Sequence, residues 1–195
     1  MKVLLAIASD RFMDEAYTIP KAALEAAGAE CVTASVVKGT CYGMHGEIVE
    51  ADLAFSDVNA DEFDGIVIGG GIGCQDQLWR NEELIDIANK IGNNGKFAAA
   101  ICLAPVILGE AGLLNGKKAT TLPTPACLRV LELDNAEVLA DNVVVDGNRR
   151  RIQLDDSAIS TSFHRKIHPF IRLSLFRKIL CGRRLGRKIH KTSLT

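Results

Sequence analysis

The sequence predicts one α/β domain with a mainly parallel sheet and helices on both of its faces. Two observations lead to this prediction. Short apolar runs, typical of buried parallel strands, alternate along the chain with longer segments of helical periodicity. Hydrophobic residues make up 48% of the 195 residues and charged residues 24%, which is the composition of a globular protein.

The elements follow one another in the order expected of repeated strand–helix–strand units. Strands are predicted at 3–8, 30–35, 66–68, 97–101, 119–122 and 143–145, and glycines between β-forming residues predict a hairpin at 38–50. Helices are predicted at 14–27, 81–90 and 104–111. Gly28 and Gly112 follow the last periodic residues of two of these helices, as C-terminal glycines do. The order therefore supports an α/β sheet.

Cysteine usage and hydropathy restrict the class of protein. The six cysteines are scattered, with no C-x-x-C pair and no Cys/His grouping at zinc spacing. We therefore expect reduced thiols, no metal site and no cofactor. The longest apolar runs fall short of the roughly 20 residues that span a bilayer, and the apolar start is too short for a signal peptide. We expect a cytoplasmic protein.

Charge is distributed unevenly along the chain. Residues 149–195 contain 13 of the 23 Lys and Arg residues but only two of the 24 acidic ones, so the net charge of −1 combines about −12 in 1–148 with about +11 in the rest. We therefore divide the chain into an α/β domain at 1–148 and a basic segment at 149–195. The segment either completes the same domain, with an amphipathic helix at 170–180, or contacts an anionic membrane or nucleic acid. A shifted reading frame would also produce it.

The segment around Cys102 predicts a nucleophile. The apolar strand 97–101 runs directly into Cys102, and Pro105 stands where the first turn of a helix tolerates proline. Such a turn holds a side chain at the carboxyl edge of the sheet, where open α/β folds bind ligands. The start of the next helix favours thiolate over thiol. The alternative is that Cys102 is a buried small apolar residue, as most unmodified cysteines are.

Five stretches of the first 148 residues match a known family in order and spacing. They are 10–20, 63–71, 100–105, 111–120 and 144–148. Together they resemble the ThiJ/PfpI superfamily, which includes intracellular peptidases, glutathione-independent glyoxalases, deglycases and redox-responsive chaperones. The resemblance implies a flavodoxin-like three-layer sandwich that forms a dimer or a higher oligomer. It also implies that Cys102 is the nucleophile and that the backbone N–H groups of Gly71 and Leu103 form its oxyanion hole.

Two departures from the family pattern weaken the expected proton-transfer chemistry. Leu103 stands where peptidase members commonly have histidine, so a Cys–His dyad is absent there. Ala16 stands where the family has its acidic partner of the thiol. Glu15 is adjacent and is our candidate acid, although one residue rotates a helical side chain by about 100°; a helix-dipole role explains it equally well. Asp14 is a weaker candidate, and His45 is expected to be an exposed hairpin residue.

Two functions remain open at this stage. The first is a cysteine-dependent enzyme acting on small reactive carbonyls or on carbonyl-modified protein side chains, or a weak hydrolase, with Cys102 as nucleophile and Glu15 moving protons. The second is a non-enzymatic redox or stress sensor in which Cys102 oxidises and changes a partner surface. A degenerate, chemically silent family member is a third alternative.

Overall fold

The computed structural model describes residues 1–146 and 151–154 and contains a seven-stranded central sheet with helices packed against it. The strands are β1 (Lys2–Ala6), β2 (Asp10–Phe12), β3 (Glu30–Ser35), β4 (Gly39–Gly43), β5 (Ile48–Ala51), β6 (Leu53–Ala54), β7 (Gly65–Ile68), β8 (Phe97–Ile101), β9 (Lys118–Ala119), β10 (Glu137–Val138), β11 (Val143–Asp146) and β12 (Arg151–Leu154). The helices are α1 (Asp14–Ala26), α2 (Glu82–Asn93), α3 (Pro105–Glu110) and α4 (Pro125–Leu133), with a π-helix at Cys74–Leu78 and 3₁₀ turns at Phe55–Asp57 and Ala60–Glu62.

The central sheet has the order β11-β12-β8-β7-β1-β3-β6. Every neighbouring pair is parallel except β11 and β12, which run antiparallel at one edge. Helix α1 packs on β3, α2 packs on β7 and β8, and α3 packs on β8. The predicted flavodoxin-like α/β fold with a mainly parallel sheet is therefore confirmed.

The order of the strands places the site. The chain moves from β1 outward to β3 on one side, and the later strands β7 and β8 are added on the other. The carboxyl ends of β1, β7 and β8 consequently lie side by side, and the loops that follow them meet at one edge of the sheet. In open α/β sheets this reversal of strand order is where ligands bind.

A smaller sheet stands beside this edge. It has the order β2-β4-β5, with β4 and β5 forming the predicted hairpin and β2 pairing in parallel with β4. Strand β2 was not predicted, because three residues between a strand and a helix have too little periodicity to be recognised. Its position matters for the site, since β2 leads directly into the first turn of α1.

Two sequence predictions near the sheet need correction. The predicted strand at 119–122 ends at Ala119, because the N–H of Leu122 donates to the carbonyl of Cys102 (2.9 Å) and the chain bends toward the elbow. Arg149–Arg151 was not expected to begin a strand, yet Arg151–Leu154 pairs with both β8 and β11. The sheet therefore includes residues beyond 148. The amphipathic helix predicted at 170–180 lies outside the described residues.

Candidate active site around Cys102

Cys102 occupies a strained turn between β8 and α3. Its φ is +62°, a left-handed conformation that residues with a side chain rarely adopt. The backbone carbonyl of Cys102 accepts hydrogen bonds from the N–H of Leu122 (2.9 Å) and from Oγ1 of Thr121 (2.9 Å). These bonds fix the turn, so the predicted elbow is present in the structure. The helix that follows has only six residues, so its dipole acts over a short distance.

Gly70 and Gly71, directly after β7, lie against the elbow. A Cβ atom at Gly70 would stand 2.6 Å from Cβ of Cys102 and 3.3 Å from its Sγ, so only glycine leaves room for the cysteine. Gly71 has a φ of +108°, and a side chain there would collide with the backbone N–H of Met13. The N–H of Met13 donates to the carbonyl of Gly70 (3.0 Å). The glycines therefore join the elbow to the start of α1.

The two predicted oxyanion-hole donors lie on this loop and on the elbow itself. Among the hydrogen bonds of the described residues, none uses the N–H of Gly71 or of Leu103 as donor. The carbonyl of Leu103 faces elsewhere, because it accepts from the indole Nε1 of Trp79 (3.0 Å). The assignment of Gly71 and Leu103 to an oxyanion hole stays a prediction, and both N–H groups are available for it.

Glu15 lies on the first turn of α1, and the structure pairs it with a residue of the hairpin. Oε2 of Glu15 is 3.3 Å from Nδ1 of His45, and both side chains are about half exposed. His45 follows β4 and is exposed, as expected from the sequence, but its contact with Glu15 was not foreseen. Ala16, at the family's acidic position, is buried. The role of Glu15 in moving protons stays a prediction.

Asp14 has a structural role that holds this part of the site together. Its two carboxylate oxygens accept from the N–H of His45 (3.0 Å) and the N–H of Glu47 (2.7 Å), so it closes the tip of the hairpin. Burial acts to raise the pKa of Asp14, but these donors outweigh it and hold the pKa below its usual value. The side chain is therefore a buried carboxylate with its lone pairs engaged.

Two further thiols, those of Cys74 and Cys127, are buried and were not singled out in the sequence. Cys74 begins the π-helix and Cys127 lies in the first turn of α4; neither is exposed to solvent. Burial raises the pKa of the Cys74 thiol well above its usual value, and the neighbouring thiols of Cys102 and Cys127 act in the same direction. No sequence pattern reveals this cluster, because its members come from three separate elements.

The described residues have three further features. Within 1–146 and 151–154, no three His, Cys, Asp or Glu side chains are grouped so that they could hold a metal ion. No helix in that part of the chain is long and apolar enough to cross a bilayer. Trp79 lies beside a surface groove of about 680 Å³ that also exposes Arg80 and Arg129. The indole therefore links this groove to the back of the elbow.

Comparison with known proteins agrees with the observed fold. The model of the DJ-1/PfpI family matches residues 1–152. The chain belongs to the DJ-1/PfpI family. Deglycase PfpI of Pyrococcus furiosus is 39% identical over 150 residues, which cover 76% of this chain and 87% of that protein. General stress protein 18 of Bacillus subtilis is 34% identical over 137 residues, covering 69% and 77% of the two chains.

A solved structure of the family has the same fold. The ThiJ/PfpI domain protein of Brachyspira murdochii superposes with a TM-score of 0.79 at 30% identity, covering 88% of this chain and 96% of that one. The family match ends two residues before the end of β12. The resemblance inferred from the sequence motifs is thus confirmed over the part of the chain that carries the site.

Proposed function

We propose that this DJ-1/PfpI chain is a cysteine-dependent enzyme of the glyoxalase or deglycase type, acting on small reactive carbonyls or on carbonyl-modified protein side chains. The observation that supports it most is the left-handed turn at Cys102, held against Gly70 at the carboxyl edge of the sheet. A strained backbone at such a position marks a functional residue more often than a packing residue. Relatives named deglycase, 39% identical over 150 residues, support the same activity.

The substrate is small, or at least its reacting group is. Only 2% of Cys102 is exposed, which restricts access to compact electrophiles such as an α-oxoaldehyde. The thiolate sulfur adds to the aldehyde carbon and forms a hemithioacetal, while the former carbonyl oxygen becomes an oxyanion. The N–H groups of Gly71 and Leu103 are the proposed donors to that oxygen. Transfer of hydrogen from C1 to C2 then gives a thioester, and water releases a 2-hydroxy acid and the thiol.

The proton transfers of this reaction need a titratable side chain, and neither residue 103 nor residue 16 supplies one. Leu103 and Ala16 carry no titratable atom. Glu15 is on the first turn of α1, which the loop of Gly70 and Gly71 joins to the elbow, and its carboxylate is supported by His45 at 3.3 Å. We assign the proton-transfer role to Glu15, because a carboxylate paired with an imidazole can both accept and return a proton.

The test is the conversion of methylglyoxal to lactate by the full chain. Cys102→Ser is expected to lower kcat/KM about a thousandfold or more, because the nucleophile is lost. Glu15→Gln, which leaves the thiol in place, is expected to lose less. Cys31→Ser is the matched control, since Cys31 is on β3 and takes no part in the proposed chemistry. Wild-type turnover in Cys102→Ser would refute the proposal.

A further inference from the structure

The surface groove beside Trp79 takes no part in the proposed carbonyl chemistry. Its volume is about 680 Å³, and its walls come from the π-helix, the turn that follows it, the end of α3 and one face of α4. Neither Cys102 nor Glu15 lines it. Clefts of roughly 300–1,000 Å³ are the usual size of small-molecule sites. The groove is therefore large enough to hold a small organic molecule.

Arginine is rare in the described fold, and most of it lies in this groove. Residues 1–146 contain three arginines, Arg11, Arg80 and Arg129, and the last two line the groove. The block 1–148 around them has a net charge of about −12, so two guanidinium groups in one groove are a local exception. A guanidinium is suited to bind carboxylate or phosphate through two parallel hydrogen bonds.

The two carboxylates in the wall leave positive charge available. Asp76 is paired with Arg11, whose Nη2 lies 2.6 Å from its Oδ2. Glu110 accepts a hydrogen bond from the backbone N–H of Arg80 (3.0 Å), and burial raises its pKa although Arg80 acts against that shift. Within 1–146 and 151–154, no carboxylate forms an ion pair with Arg129. Its guanidinium is thus not compensated by the described residues.

Backbone strain occurs at the same place. Arg80 has a φ of +59°, in the left-handed region that residues with a side chain rarely adopt. The hydrogen bond from its N–H to Oε2 of Glu110 holds the turn. Strained residues of this kind cluster at functional sites and ligand clamps. The strain at Arg80 therefore supports a binding role for the groove.

The remaining wall of the groove is apolar. Trp79 and Val130 are half-buried in it, and Leu133 is 77% exposed, more than any other large apolar residue of the described chain. The indole Nε1 of Trp79 already donates to the carbonyl of Leu103 (3.0 Å), so the indole has no other polar group to satisfy. Covering this surface with an apolar group is favourable.

We propose that the groove binds a small organic anion, namely a carboxylate or phosphate ester with an aromatic or other apolar body. Arg80 and Arg129 hold the acidic group, and Trp79 and Leu133 contact the body. A few charged groups beside an apolar wall are typical of small-molecule sites. An α-oxoaldehyde is uncharged and makes no use of two guanidinium groups. The site is therefore separate from the proposed function and does not depend on it.

Trp79 is the only tryptophan of the chain, so its indole N–H gives a single NMR signal in the wall of the groove. The ¹⁵N-labelled full chain is titrated with phenyl phosphate and, separately, with phenylacetate. We expect a saturable shift of the indole signal with at least one of them, and the tighter acid identifies the preferred acidic group. Inorganic phosphate has only the charge and benzyl alcohol only the ring, so each is expected to bind about tenfold more weakly.

Two substitutions on α4 test the two halves of the site. Arg129 and Leu133 are both exposed, so replacing them is expected to leave the fold intact. Arg129→Gln should weaken binding of the tighter acid about tenfold, because a charge-assisted hydrogen bond is lost. Leu133→Ala should weaken it several-fold. Lys38→Gln is the matched control, since it removes the same charge from an exposed residue outside the groove and should bind like wild type.

Several results would overturn the proposal. One is the absence of a saturable shift in wild type, and another is benzyl alcohol binding as tightly as the acids. Equal affinities of Arg129→Gln and Lys38→Gln would contradict the assignment of the arginine. Shifts confined to the amides of Gly71 and Cys102 would place the anion at the elbow. An indole shift that follows chain concentration without added acid would show that a second copy fills the groove. The titration needs no turnover, so it decides the question even if the chain does not convert methylglyoxal.

Discussion

At the scale of single residues, the elbow depends on a strained backbone that its neighbours stabilise. A left-handed conformation at a residue with a side chain costs on the order of 1–3 kcal/mol. At Cys102 the carbonyl receives two hydrogen bonds, from Leu122 and Thr121, which offset part of that cost. Gly70 contributes because it has no side chain: a methyl group there would occupy the space of the Cys102 side chain. Cys102 and this glycine therefore pack as one unit.

Gly70→Ala tests that dependence. The added Cβ would approach Cβ of Cys102 to 2.6 Å and the carbonyl of Ile101 to 2.7 Å, and neither is the end of a flexible side chain. We expect the elbow to shift, the free energy of unfolding to fall by about 1–3 kcal/mol, and alkylation of Cys102 by iodoacetamide to change its rate.

The control for this substitution is Gly69→Ala. A Cβ at Gly69 meets its nearest neighbour, Cγ2 of Ile7, at 3.2 Å, so a small movement of a side chain accommodates it. Chemical denaturation and the rate of alkylation, read by mass spectrometry, are measured on both variants. If Gly70→Ala matched wild type in both measurements, the close packing of the elbow would be of no consequence.

The sequence identified the residues of the site that a local pattern reveals. Cys102 follows a buried strand and precedes a helix, so its position at a turn can be read from adjacent residues. Trp79 and Cys74 could not be found in that way. The hydrogen bond from Trp79 to the carbonyl of Leu103 depends on how the π-helix packs against the loop after β8, and hydrophobicity alone describes Trp79 and Cys74 as core residues.

At the scale of elements, helix α1 and the hairpin are joined by one carboxylate. No side chain caps the start of helix α1. The carboxylate of Asp14 instead accepts hydrogen bonds from the N–H groups of His45 and Glu47 at the hairpin tip. Gly43 leaves room for that carboxylate, since a Cβ there would lie 2.6 Å from its atoms. The contact between Glu15 and His45 follows from this arrangement.

Asp14→Asn tests this connection by its pH dependence. Because the pKa of Asp14 is lower in the folded chain, its stabilisation is fully present above the unfolded value of about 3.9 and is lost as pH falls through the folded value. One amide donor of the variant would face a backbone N–H. We expect a loss of about 1–3 kcal/mol at pH 7 that becomes smaller as the pH falls below the unfolded value of about 3.9.

Urea denaturation at pH 7 and pH 3 measures that difference, with Asp57→Asn as the control. Asp57 is exposed in a 3₁₀ turn, so its substitution is expected to change stability by less than about 0.5 kcal/mol at either pH. Equal losses for Asp14→Asn at the two pH values would contradict the assignment of a charged, hydrogen-bonded Asp14.

Elements were predicted well where burial imposes a simple pattern. Strands β3 and β8 were predicted with their observed limits, because β8 is a wholly apolar, buried run and β3 follows closely after Gly28, the glycine that ends α1. Strand β12 was missed because its arginine and glutamine alternate with two apolar residues, and pairing with β8 and β11 decides its conformation. Helix α4 was also missed, although Thr124 as its cap and Pro125 in its first turn are recognisable signals.

At the scale of the whole molecule, the net charge of −1 conceals two opposed blocks. Residues 1–148 carry about −12 and residues 149–195 about +11. The described fold covers residues 1–146 and 151–154, and the family match covers residues 1–152. Both therefore lie almost wholly in the first block. The candidate site residues lie in the first block, whereas β12 of the second block pairs with β8, so the effect of the remaining basic residues is a separate question of electrostatics.

We expect the basic block to bind polyanions in a salt-dependent manner. Neutralising several phosphate or sulfate groups releases counterions, so affinity falls steeply as salt rises. The full chain should be retained on heparin at about 0.05 M salt and should elute well below 1 M. A variant with Arg183, Arg184, Arg187, Lys188 and Lys191 changed to Gln should elute earlier, with unchanged methylglyoxal turnover.

A wild-type chain that flows through at low salt would show that the acidic block neutralises the basic one within the molecule. Binding to anionic vesicles or to RNA at the same salt would then separate the two partner classes that the sequence leaves open.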